Sequence, residues 1–167
     1  MRGSSSDPNS LHERVFSVGS VDSSDPELVE GERARDKLLM DLNEISSEII
    51  KAAITVHKEL GPGLLESVYQ ACMVIELQHI AMNFQSQLLL PIFYRGQKLN
   101  GLEFRLDLLV EDEVVVELKS VARVEEVHKK QLLTYLRLAD KRLGLLINFN
   151  ESLLKDGITR IINTRQS

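Results

Sequence analysis

Within residues 101–120, GLEFRLDLLVEDEVVVELKS, three side chains are of the types that do chemistry together: Asp107, Glu117 and Lys119. Glu117 and Lys119 stand two apart in an apolar run, so on a strand both leave one face while Val116 and Leu118 leave the other. Asp107 can join them from the adjoining strand of a hairpin. Two carboxylates converging with one ammonium suit a hard divalent cation, with the lysine free to steady an anion or orient a water molecule. Such an arrangement is suited to cutting a phosphodiester. Cross-strand charge pairs that merely solvate a sheet use the same residue types, and the bare D-x9-E-x-K spacing fits them as well. The near-continuous apolar character of VVVELKS weighs against that alternative: a strand covered on both faces bears a carboxylate and an ammonium at a cost unless they are paired or ligating.

The elements that must position these residues are legible in the hydrophobic period. Leu38, Leu42, Ile45, Ile49, Ala53, Val56 and Leu60 recur at steps of three and four, one stripe of an amphipathic helix. Gly61-Pro62-Gly63 is a stop and restart. A second helix is expected over 64–80, with Leu65, Val68, Cys72 and Ile75 as its apolar face and Glu66, Tyr69, Gln70 and Met73 on another. Residues 86–94 read as a strand, in which Pro91 marks an edge position or a bulge. After a turn at Arg95-Gly96-Gln97, strands at 102–110 and 113–119 form an antiparallel hairpin around Glu111-Asp112. Helical spacing returns over 124–138, followed by an apolar strand at 142–149 and a short strand at 157–163. The order predicts a single α/β domain over residues 36–167, an α-β-β-β-α-β sandwich with a mixed central sheet. Residues 1–35, rich in Ser, Asp, Glu and Gly, read as a disordered tail whose opening MRGS resembles an added leader.

Composition narrows the function. At 167 residues and 43% hydrophobic, the chain suffices for one real core. Cys72, the single cysteine, excludes an internal disulfide, a four-cysteine zinc site and a cysteine-ligated cluster within one chain. The formal charge of −5 argues weakly against coating nucleic acid by bulk electrostatics, but residues 1–35, with four arginines against seven carboxylates, supply −3 of it. Without an apolar run of membrane length or a secretory leader, the sequence is expected to be a soluble cytoplasmic protein with no membrane partner.

The segments VHKELGPGLLESVYQ, FRLDLLVEDEVVVELKS, HKKQLLTYL and LGLLINFN, in this order, resemble the GxxExxY family of the PD-(D/E)XK nuclease-like superfamily. Gly63, Glu66 and Tyr69 occupy the positions that name the family; Asp107, Glu117 and Lys119 match its D…ExK signature. The resemblance covers about residues 40–163. It implies a Mg²⁺- or Mn²⁺-dependent nuclease, a hydrolase of nucleic acid with DNA favoured, in which Asp107, Glu117 and the backbone carbonyl of Leu118 ligate the metal and Lys119 assists. It also implies that Glu66 reaches the metal from the helix layer, directly or through a water; a glutamate in a first helical turn is favoured by the dipole alone as well. Gln131 and Tyr135, a Q-x-x-x-Y following the ExK strand, resemble the pair that shapes the site and contacts DNA in RecB-type nucleases.

Arg105 lies two before Asp107 and either binds phosphate or pairs with a carboxylate. His57, beside the first helix's stripe, reads as a structural hydrogen-bonding group, and the scattered histidines show no zinc spacing. Two other functions compete with the nuclease: a non-catalytic module binding nucleic acid or protein on the same scaffold, and an enzyme acting on small phosphorylated ligands. A homodimer fits a nuclease that cuts both strands, although no segment declares an interface.

Overall fold

The computed structural model describes residues 41–164 and the isolated Pro26; the expected tail over residues 1–35 lies outside that range. Residues 41–164 fall within the unit Lys37–Ser167. Helix α1 spans Leu42–Leu60 and α2 Glu66–His79; strands β1, Phe84–Tyr94, β2, Gln97–Val110, and β3, Val114–Lys119, follow. Then come α3, Glu126–Leu138, strand β4, Leu143–Asn148, a 3-10 turn at Leu154–Gly157, and β5, Ile158–Ile162. The five strands lie in chain order in one sheet, β3 and β4 parallel and all other neighbours antiparallel. This is the mixed sheet that the element order implied.

One face of the sheet, with Leu108, Val110, Val114, Val116, Leu118, Leu143, Leu145 and Ile147, packs under α1 and α2. Leu109, Val115 and Leu146 on the other face pack under α3 through Leu132, Tyr135 and Leu136. Every β3 residue from Val114 to Leu118 is buried, as expected for a strand covered on both sides. Helix α3 can approach β4 closely because Gly144 has no side chain; a Cβ there would stand 2.9 Å from Leu132 Cγ. Strand β1 is one edge of the sheet, and its register slips between Pro91 and Phe93, where proline withholds a ladder donor.

Two expectations are corrected. The buried face of α2 is Tyr69, Met73 and Leu77, whereas Leu65, Val68 and Ile75 are exposed and Cys72 half-buried. The helix carries apolar residues all round, and its facing is decided by Tyr69, whose ring stacks on Phe149 at 4.3 Å between centroids. Strand β2 begins at Gln97 rather than 102, so β1 and β2 form a longer hairpin than the apolar runs suggested.

Candidate active site

The site is built where two strands part. Strands β2 and β3 are in register from Val110↔Val114 to Leu108↔Val116, and the ladder ends there. Beyond it, β2 pairs only with β1, and the β2-side edge of Leu118 has no ladder partner. Asp107 fills that gap: its Oδ2 accepts the Leu118 N–H at 2.8 Å. The carbonyl and N–H of one residue leave the same edge of an extended strand, so the Leu118 carbonyl faces this gap too.

Glu117 continues the alternation of β3 and is 4% exposed. Its Oε1 accepts from Lys119 Nζ at 2.8 Å, while its Oε2 is buried with no hydrogen-bond partner. Burial, then the charge of Asp107 and last that of Glu66, raise the Glu117 carboxyl to about 7 against the pull of Lys119. Asp107 is also raised, by burial, although the Leu118 N–H, the Lys119 charge and the Gln87 amide each oppose it. The Lys119 ammonium loses hydration by burial, yet its bond to Glu117 and the charges of Glu117, Glu66 and Asp107 hold its proton above the ordinary lysine range. Two carboxylates and one ammonium therefore share a pocket with net negative charge and one oxygen left without a donor.

Glu66 opens α2, half-buried. The turn before it is held by Tyr69, whose hydroxyl donates to the Gly61 carbonyl at 2.6 Å and accepts from the Leu64 N–H at 3.1 Å. Gly63, inside that turn, has φ +95, a conformation that a side chain disfavours. The Leu64 carbonyl accepts from Ser120 Oγ at 2.6 Å, which fastens the turn to the residue after Lys119. Gly63 and Tyr69 thus have one physical task in common: they shape the turn that fixes the start of α2, where Glu66 lies, against the end of β3. Tyr69 itself is in the core, 0% exposed.

From the opposite layer, Gln131 Nε2 donates to the Tyr135 hydroxyl at 2.6 Å. The Tyr135 ring is 4% exposed and packs on Phe104 with centroids 5.4 Å apart, so the residue expected to face substrate is a core residue with only its hydroxyl end near the site. Burial and then the Glu117 charge push that phenol up. His57 is structural, its Nε2 2.8 Å from the Glu151 carbonyl.

Gln87 is a site residue that the sequence did not disclose. It lies in β1 between the pairs Ser86↔Leu108 and Leu88↔Leu106, opposite Asp107, with a left-handed φ of +54. Its Nε2 lies 3.4 Å from Asp107 Oδ1, and its Oε1 lies 3.5 Å from a guanidinium nitrogen of Arg105. Arg105 is exposed and is tied to the site only through this amide. A glutamine within a strand has no compositional mark; only its backbone angle distinguishes it.

A family model of the PD-(D/E)XK nuclease superfamily matches residues 43–161, from the second residue of α1 to the fourth residue of β5. The chain belongs to that superfamily. Comparison with curated proteins and with solved structures found no match. PD-(D/E)XK nucleases generally use divalent metal ions, and the donor set here fits one: oxygens only, a buried Glu117 Oε2 without a partner, and Asp107 beside it. Among the described residues no group of three or more His, Cys, Asp or Glu side chains stands close enough to hold a metal; the charge of Glu66 acts on Glu117 and Lys119. No described helix is long and apolar enough to cross a membrane.

Proposed function

We propose that this protein is a nuclease of the GxxExxY branch that hydrolyses phosphodiester bonds of nucleic acid, DNA in preference, in the cytoplasm. The observation that carries the reading is the buried Glu117 Oε2 with no donor, close enough to Asp107 to feel its charge. Burying an uncompensated carboxylate oxygen is costly, and a cation is the partner that best removes the cost. Asp107, Glu117 and the Leu118 carbonyl would hold Mg²⁺ or Mn²⁺, few protein oxygens sufficing for ions that keep several waters. When bound, the ion supplies charge neutralisation and polarisation of a phosphoryl oxygen. Lys119, already oriented by Glu117, is placed to orient the attacking water or to stabilise charge gathering on the phosphate. Glu66 adds negative potential that keeps the Lys119 proton in place. Gln131 and the Tyr135 hydroxyl close the site from α3, and Arg105 offers an exposed guanidinium for a phosphate.

The test is incubation of purified protein with labelled single- and double-stranded DNA and RNA across a Mg²⁺ and Mn²⁺ titration, with a chelator control. Metal-dependent cutting that Asp107→Asn abolishes is expected. Absence of cutting on every substrate at millimolar metal would leave the non-catalytic binding module as the reading.

A further inference from the structure

Past the point where β2 leaves β3, residues 88–106 form a two-stranded arm in which β2 pairs only with β1. The base of the arm is packed, since Leu88, Leu90 and Phe104 lie against the α3 cluster. Its outer half is not. Phe93 and Tyr94 are 58% and 64% exposed, and they are the only described Phe or Tyr residues in the exposed class. Each exposed apolar side chain of β1 stands beside a cation. Leu89 lies directly opposite Arg105 and Phe93 opposite Lys98, pairs that share a face. The Arg95 guanidinium lies over the Tyr94 ring, 5.6 Å from its centroid.

The charge on this arm opposes that of the whole chain. Residues 88–106 contain Arg95, Lys98 and Arg105 against Glu103, on a protein of net charge −5. Cations alternating with exposed rings at the end of a ribbon match a polyanion whose bases can stack, more closely than an apolar protein face. The ribbon starts at Asp107 and Gln87, so whatever the arm holds is continuous with whatever the site holds.

We propose that the β1–β2 arm is a nucleic-acid-binding element that grips the substrate at a distance from the scissile bond, its cations on phosphates and its rings on bases or sugars. The proposal rests on the nuclease reading for its substrate. Seven residues separate Gln87 from Tyr94, and at about 3.3 Å per residue the tip is roughly 20 Å from the site. At about 3.4 Å per step along a strand, that corresponds to roughly six nucleotides. A six-nucleotide strand centred on the site does not reach the tip; a twenty-nucleotide strand does.

Binding is measured by fluorescence anisotropy of labelled 6- and 20-nucleotide single-stranded DNA, with chelator present so that nothing is cut, for the parent, Phe93→Ser/Tyr94→Ser and Arg95→Gln/Lys98→Gln. Both double variants are expected to bind the 20-mer at least tenfold more weakly, with the 6-mer unaffected. The charge variant should also lower the salt slope by about two. Circular dichroism and melting temperature check the fold, which surface changes should leave intact. Equal affinity of parent and variants for the 20-mer would overturn the proposal. So would a loss of self-association on sedimentation without a loss of DNA affinity, which would make the arm a protein interface. The cleavage assay separates the two readings: variants that bind and cut the 20-mer as the parent does remove the arm and keep the nuclease, while arm-dependent binding without any cutting does the reverse.

Discussion

Asp107 is at once the cap of the Leu118 N–H and the neighbour of Glu117: its Oδ2 accepts that N–H at 2.8 Å while its charge helps raise the Glu117 carboxyl to about 7. The same carboxylate therefore closes an open strand edge and loads the pocket with charge that calls for a cation.

The two roles separate by substitution. Asp107→Asn retains an oxygen for the Leu118 N–H and removes a charge, so its stability without metal should be equal to or slightly above the parent's. Asp107→Ala leaves the N–H without a partner at a cost of about 1–3 kcal/mol. Urea denaturation of both variants without metal checks this. Equal losses for Asn and Ala would show that the cap contributes nothing.

Glu117 sets a pH dependence whose sign is fixed. Its folded-state value of about 7 lies above the ordinary 4.5, so the proton binds more tightly in the folded chain. The stabilisation linked to that proton is complete below about pH 4.5 and is lost as pH rises through about 7, up to about 3 kcal/mol from this group. Metal-free protein should therefore lose stability across that window, and Glu117→Gln should flatten the profile and be the more stable protein at pH 8. Denaturant midpoints measured from pH 5 to 8 check it; parallel profiles for parent and variant would contradict it.

Gln87 tests whether a strained backbone serves the site. A left-handed non-glycine residue costs on the order of 1 kcal/mol, so Gln87→Gly relieves strain while freeing the unfolded chain by a similar amount, and stability should stay near the parent's. If the amide orients Asp107, metal affinity in Gln87→Gly should nonetheless fall by about 10- to 100-fold. Titration calorimetry reads this directly, and unchanged affinity in the glycine variant would reduce Gln87 to a backbone feature.

Much of this was legible in the residues. Alternation along VVVELKS placed Glu117 and Lys119 together, Pro91 marked the edge strand, and Gly61-Pro62-Gly63 marked the break before α2. The facing of α2 was not legible, because apolar residues occur on both stripes and only the partners of Tyr69, Phe149 and the Gly61–Leu64 turn, select one. The start of β2 was hidden for a related reason: residues 97–101 pair through the backbone and are exposed apart from Leu99, which leaves no alternation to read. The depth of the Tyr135 ring was not legible, because a Q-x-x-x-Y spacing fixes the side of the helix and says nothing of how deep the ring lies.

The central claim, that Asp107 and Glu117 form a metal site and Lys119 acts beside it, is tested most directly by calorimetric Mn²⁺ titration of the parent, Asp107→Asn and Lys119→Ala, read with cleavage rates on the same samples. The parent should bind one ion, and Asp107→Asn should lose both binding and cutting. Lys119→Ala should keep the ion and lose a charge-assisted contact worth a few kcal/mol, roughly a hundredfold or more in rate. Asp107→Asn binding Mn²⁺ as the parent does, or cutting as fast, would contradict the account.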